Sequence, residues 1–62
     1  LRPDRMVEDD DLILILEYKT GAYNEAHFQQ LEEYRNVMQA ARGKKVEGAV
    51  LYVEEEKLIE LN

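Results

Sequence analysis

Three residues whose side chains cooperate in phosphate chemistry stand early in the chain: Asp4, Glu17 and Lys19. Two carboxylates supply hard oxygen ligands of the kind Mg²⁺ takes, alongside water and a substrate phosphate. A divalent cation polarises a phosphate and acidifies water. A lysine beside it can orient or help deprotonate that water and stabilise charge on the transition state. Lysine suits the task because it is a compact charge whose pKa shifts readily on burial. Only Tyr18 separates Glu17 from Lys19. On a strand, that spacing projects both from one face, with Cα atoms roughly 6–7 Å apart.

The elements that must position them follow from the pattern of apolar residues. Residues 2–8 alternate loosely around Met6 and Val7 and read as a strand, with Pro3 near its start, where a missing N–H costs least. The polar turn 9–11 is three aspartates. Leu12–Lys19 is a short apolar run bounded by turn signals, which suits a strand covered on both faces. The two strands are expected to form an antiparallel hairpin. With a two-residue turn at Asp9 and Asp10, Glu8 pairs with Asp11 and Asp4 falls opposite Ile15. Asp4 and Glu17 are then diagonal neighbours at roughly 7–8 Å, within reach of a bridging cation. A one-residue slip would send Asp4 to the other face.

Asn24 is a good helix N-cap, and residues 25–41 follow with helical spacing in Phe28, Leu31, Tyr34 or Arg35, Met38 and Ala41. Gly43 is placed to end the helix in a left-handed conformation. Glu25 and Arg42 suit the two ends of the helix dipole. Residues 46–53 read as a third strand, 54–56 as an acidic turn, and Lys57–Leu61 as a short final strand. The order is β-β-α-β-β, an α+β arrangement.

Composition narrows the setting. The chain has 62 residues, 45% hydrophobic and 35% charged, the profile of a globular domain. A chain this short buries only about 60% of its unfolded surface, so its stability is marginal. With no cysteine, neither a disulfide nor a thiolate metal site can reinforce it. The chain begins Leu1-Arg2-Pro3-Asp4 and reads as a single partial domain, 1–62, cut from a longer protein. The longest apolar run, Leu12 to Leu16, is too short to span a bilayer, and the cytoplasm is the expected location. A net charge of −6 opposes nucleic-acid binding unless the basic surface lies elsewhere in the parent chain or the acids gather round a metal that meets the phosphate.

Pro3-Asp4 followed after a hairpin by Glu17-Tyr18-Lys19 resembles the signature of PD-(D/E)xK nucleases. The apolar strand running into Glu-Tyr-Lys-Thr-Gly is similar to a nuclease motif of their RecB-like branch. Gln30-Leu31-Glu32-Glu33-Tyr34 resembles that branch's Gln-x-x-x-Tyr motif, and Leu51-Tyr52 before an acidic turn resembles its closing strands. Arg2-Pro3-Asp4-Arg5 looks like versions at the C-termini of UvrD/Rep-type helicases. The resemblance implies a restriction-endonuclease-like core fragment. It implies an exonuclease-type, Mg²⁺-dependent hydrolase of DNA phosphodiesters, with Mn²⁺ as substitute, coupled to an ATP-dependent helicase region in recombination and repair. Asp4 and Glu17 would then be metal ligands, the Tyr18 carbonyl a third, and Lys19 the catalytic lysine. Gln30 and Tyr34, four apart on one helix face, would support the site or touch DNA.

The family usually adds a metal-binding His on an upstream helix and a strand before the Asp strand. Neither is in this sequence, so the resemblance implies weak metal binding and slow or absent cutting by the fragment alone. His27, the only histidine, opens the wrong helix and reads as a boundary or solvent-facing residue. An exposed sheet edge and apolar helix surface would favour a homodimer or a domain-swapped assembly. Two competing readings fit the same residues: a nuclease-like fold without activity, serving as a structural or protein-interaction module, and an unrelated β-β-α-β-β module.

Overall fold

The structure, a computed structural model, describes residues 2–61. Its elements are β1 (Arg5–Glu8), β2 (Leu12–Lys19), α1 (Glu25–Arg42), β3 (Lys45–Tyr52) and β4 (Lys57–Leu61). The expected order β-β-α-β-β therefore holds. The strands form one mixed sheet in the order β1-β2-β3-β4. β2 runs antiparallel to β1 and parallel to β3, and β4 returns antiparallel to β3. A parallel neighbour requires a crossover, and α1 supplies it. No helix among the described residues is long and apolar enough to cross a membrane.

Local chemistry fixes the helix ends. The Asn24 side chain accepts a hydrogen bond from the Ala26 N–H at 2.9 Å. At the other end Gly43 adopts φ 66°, and its N–H donates to the Gln39 carbonyl at 3.0 Å. Glycine takes this left-handed conformation without steric cost.

Residues opposite one another in the ladders share a face, which separates the sheet into two sides. On the helix side Ile13 and Ile15 of β2 lie beside Val46, Val50 and Tyr52 of β3 and Leu61 of β4, and Leu31 of α1 packs with them. All are buried. Gly48 stands among them because a Cβ there would lie 2.9 Å from Ile15 Cγ1 and 3.0 Å from Leu61 Cδ1. The other side carries Leu12, Leu14, Leu16 and Leu51, half-buried, with Val7 and Leu58 exposed.

The hairpin differs from expectation in register. Glu8 pairs with Ile13, not with Asp11. Asp9 is the reason. Its side chain accepts from the N–H groups of Asp11 (2.9 Å) and Leu12 (2.8 Å), while its own N–H donates to the Leu12 carbonyl (2.9 Å). This Asx-type turn makes Asp10 and Asp11 the two-residue connection. The ladder moves by two positions, so faces are preserved and Asp4 continues opposite Glu17 instead of Ile15. Strand β1 is also shorter than expected, beginning at Arg5, with Asp4 in a bend just ahead of it. The helix runs one residue further, to Arg42, and β3 starts and ends one residue earlier than the expected 46–53.

Charged contacts fasten the far end of β1. Glu8 accepts from Arg42 at 3.0 Å and pairs with Lys44 at 3.0 Å, joining β1 to the end of α1 and the turn after it.

Candidate active site

Asp4, Glu17 and Lys19 meet where β2 ends, on the helix side of the sheet. This is the carboxyl end of the parallel pair β2 and β3, the place where open α/β sheets bind ligands. Glu17 continues the row Ile13, Ile15 and is itself only 5% exposed. A carboxyl group at the end of an apolar row has little water around it. Asp4 lies across from it in the next antiparallel position, and it is exposed.

Backbone polarity explains why Asp4 sits there. The Asp9–Leu12 bond turns the peptide groups of even-numbered β2 residues toward β1. The Lys19 carbonyl, which accepts from Val53 N–H at 2.9 Å, turns those of odd-numbered residues toward β3. Tyr18 therefore offers its N–H and carbonyl to the β1 side. The position opposite it, by continuation of the ladder, is Pro3, which has no N–H to donate. Asp4 takes over part of the role: its Oδ2 accepts the Tyr18 N–H at 2.8 Å. The Tyr18 carbonyl, the third oxygen expected at the site, faces the same side with no backbone donor from Pro3.

The two carboxyl groups are electrostatically unequal. Burial, then a hydrogen bond to Asp4 and the Asp4 charge, push the Glu17 carboxyl up to about 7, against a smaller opposing effect of Lys19. Asp4 is held below the usual carboxylate range by its hydrogen bond with Glu17, the Tyr18 N–H and the Lys19 charge. Glu17 is thus the member of the pair that keeps its proton to higher pH, the expected result when two carboxylates share a site and one of them is buried.

A divalent cation suits this arrangement. Two adjacent carboxylates and a carbonyl are hard oxygen donors, and a cation between them offsets both the burial of the Glu17 charge and its repulsion by Asp4. Among the described residues no three His, Cys, Asp or Glu side chains come together. Mg²⁺ tolerates such a sparse set because it keeps several waters.

The remaining expected residues are placed differently. Lys19 pairs in register with Tyr52, on the same face as Glu17, and its charge acts on both carboxyl groups. Gln30 and Tyr34 line a shallow groove along α1 with Glu33 and Val37, a groove whose lining includes none of Asp4, Glu17 and Lys19. Tyr34 also packs against the core, whereas Gln30 is exposed. His27 is half-buried, with Nδ1 3.2 Å from the Tyr52 hydroxyl and its ring stacked near the Tyr52 ring.

Sequence reasoning missed Tyr52 as an organiser of this end of the molecule. It is fully buried, and its hydroxyl accepts from the Asn24 N–H (3.1 Å) and donates to the Asn24 carbonyl (3.3 Å). It thereby fixes the start of α1 beside the site. The signal lay in Asn24 and His27 opening the helix, but only the parallel register brings Tyr52 beneath them.

No family model, curated protein or solved structure matches the chain. The resemblance to PD-(D/E)xK nucleases rests on the motif residues of the sequence.

Proposed function

We propose that this chain is part of a metal-dependent DNA nuclease domain that hydrolyses phosphodiesters, as the PD-(D/E)xK resemblance implies. The supporting observation is the meeting of Asp4 and Glu17, from separate segments, beside Lys19 at the end of β2. A solvated Glu-x-Lys on a strand edge would not need a buried Glu17 or a second acid across from it.

In this reading Asp4, Glu17 and the Tyr18 carbonyl would hold Mg²⁺ or Mn²⁺. The ion, when bound, supplies charge neutralisation at the phosphate and acidification of water. Lys19 sits beside the two carboxyl groups. Its ammonium orients the attacking water and balances negative charge developing on the phosphate oxygens. Asp4 accepts the Tyr18 N–H, which ties the acid from the β1 segment to the strand that carries Glu17 and Lys19. Gln30 and Tyr34 belong to this reading as residues that would steady the helix or contact DNA beside the site. The helicase partner and a role in recombination or repair are extensions of the same resemblance.

The test is Mn²⁺-dependent cleavage of a labelled DNA strand, compared with Lys19→Ala. Cleavage in the wild type that drops by at least about a hundredfold in Lys19→Ala supports the proposal, a loss typical of removing a transition-state stabiliser. Equal cleavage by both proteins would overturn the role of Lys19. The net charge of −6 favours, as a second reading, an inactive interaction module, and no cleavage by either protein is its expected result.

A further inference from the structure

An exposed aromatic ring stands at the same end of the sheet as the carboxylate site and has no part in the chemistry above. Tyr23 is 44% exposed, yet it is anchored at both ends. Its N–H donates to Glu55 Oε1 at 3.1 Å, and its ring leans on buried Tyr52 with centroids 5.8 Å apart at 57°. Tyr52 is in turn pinned to the Asn24 backbone and to His27. A lone exposed tyrosine is ordinary on a protein surface. One braced against a buried ring, with nearly half of its surface exposed, is placed to receive a flat ligand.

Cations attend it. The Lys57 ammonium lies over the Tyr23 ring, 5.8 Å from its centroid, on a side chain long and exposed enough to swing aside when a base stacks there. In the ladders Lys19 pairs with Tyr52 and Tyr52 pairs with Lys57, so the three form one row across β2, β3 and β4. Adjacent strands are about 4.8 Å apart, which puts the two lysines on either side of Tyr52 with backbones roughly 10 Å apart. Lys19 is the member of the row that also faces Asp4 and Glu17. The row therefore runs from the carboxylate site to the tyrosine platform.

Resting on the nuclease reading, we propose that Tyr23 stacks a base of single-stranded DNA next to the phosphate held at Asp4 and Glu17, with Lys57 meeting the backbone beyond it. Stacking on an aromatic ring plus a few cations is how proteins hold single strands without reading their sequence. The surroundings favour a single strand over a duplex. Glu54, Glu55 and Glu56 form the turn beside the platform, and Glu25 opens the helix. A duplex brings one phosphate charge per roughly 1.7 Å of its axis, a single strand about one per 3.4 Å. The acidic turn repels the denser charge more, and stacking gives the single strand affinity that does not depend on cations.

The experiment is fluorescence anisotropy with a labelled oligothymidylate, with Ca²⁺ replacing Mg²⁺ and Mn²⁺ so that the carboxylates are neutralised without the ions assigned to cutting. Tyr23→Ala is expected to weaken binding about tenfold or more, and Tyr23→Phe to stay within about twofold of wild type, because stacking needs the ring and not the hydroxyl. Lys57→Ala should reduce the slope of log affinity against log salt by about one. A duplex should bind more weakly than the single strand. Should Tyr23→Ala fail to melt cooperatively, Tyr23→Leu carries the test, since it refills the contact with Tyr52. Binding indifferent to ring loss, or no binding of the oligonucleotide by wild type, overturns the platform. Binding that needs Tyr23 in a chain whose Mn²⁺ binding does not depend on Glu17 would sink the nuclease reading and leave the platform standing. Lys19-dependent cleavage alongside binding indifferent to Tyr23 would do the reverse.

Discussion

Replacing Glu17 by Gln isolates the electrostatic cost of the carboxylate pair. Glu17 is almost fully buried, and burial together with Asp4 pushes its carboxyl from the ordinary 4.5 up to about 7. The folded chain then keeps a proton that the unfolded chain has already lost. Between pH 4.5 and about 7 the native state binds more protons, so stability falls as pH rises through that window and stays low above it. Between about pH 5 and about pH 8 the loss is up to about 2.5 kcal/mol, from about 1.36 kcal/mol per pKa unit. Asp4, Glu8 and Asp9 have depressed carboxyls, so their contributions are present above their ordinary values of 3.8, 4.5 and 3.8 and are lost only at lower pH. They do not mask the effect of Glu17 in this window.

Glutamine is uncharged at every pH and can still donate a hydrogen bond to Asp4, as the protonated Glu17 does. Glu17→Gln should match the wild type near about pH 5 and exceed it by about 2 kcal/mol near about pH 8, a rise of roughly 10 °C in Tm for a chain of this size. Urea denaturation in EDTA at the two pH values measures it. Two outcomes refute the reasoning: a wild type whose stability does not fall with pH, or a Glu17→Gln chain that falls in parallel with it.

Other perturbations probe the frame that holds the site. Gly48→Ala forces a methyl against Ile15 and Leu61, so it should cost about 1–3 kcal/mol in urea midpoint analysis; a neutral result would mean the core has room there. Tyr52→Phe removes a buried hydroxyl from Asn24 and His27 and should cost about 1–2 kcal/mol, with faster amide exchange confined to the start of α1. Uniform loss of protection would instead make Tyr52 a packing residue only. Gly43→Ala places a Cβ at φ 66° and should destabilise by about 1 kcal/mol, read from the thermal melt.

Much of the frame was legible because it is local. The Asn24 cap, the Gly43 stop, the long apolar β2 and the helical spacing through Leu31 and Met38 are each written within a few residues of where they act. Pairing was harder. A two-residue turn could close at Asp9-Asp10 or Asp10-Asp11, and among three identical aspartates only the side-chain bonds of Asp9 decide between them. The error was an even number of positions, so the shared face of Asp4 and Glu17 was foreseen while their direct opposition was not. The parallel pairing of β2 with β3 is long-range and has no local signature. The row Lys19, Tyr52, Lys57 and the platform of Tyr23 depend on it, which is why they were invisible in the sequence. For Gln30 and Tyr34 a spacing of four put both in one groove, but spacing alone does not say that this groove is lined by α1 residues and by none of Asp4, Glu17 and Lys19.

A calorimetric titration with Mn²⁺ at neutral pH, on the wild type and on Glu17→Ala, asks most directly whether Asp4, Glu17 and Tyr18 form a metal site. Saturable binding near one ion per chain that disappears in Glu17→Ala is the predicted result. Equal binding by both proteins, or none by either, would contradict it.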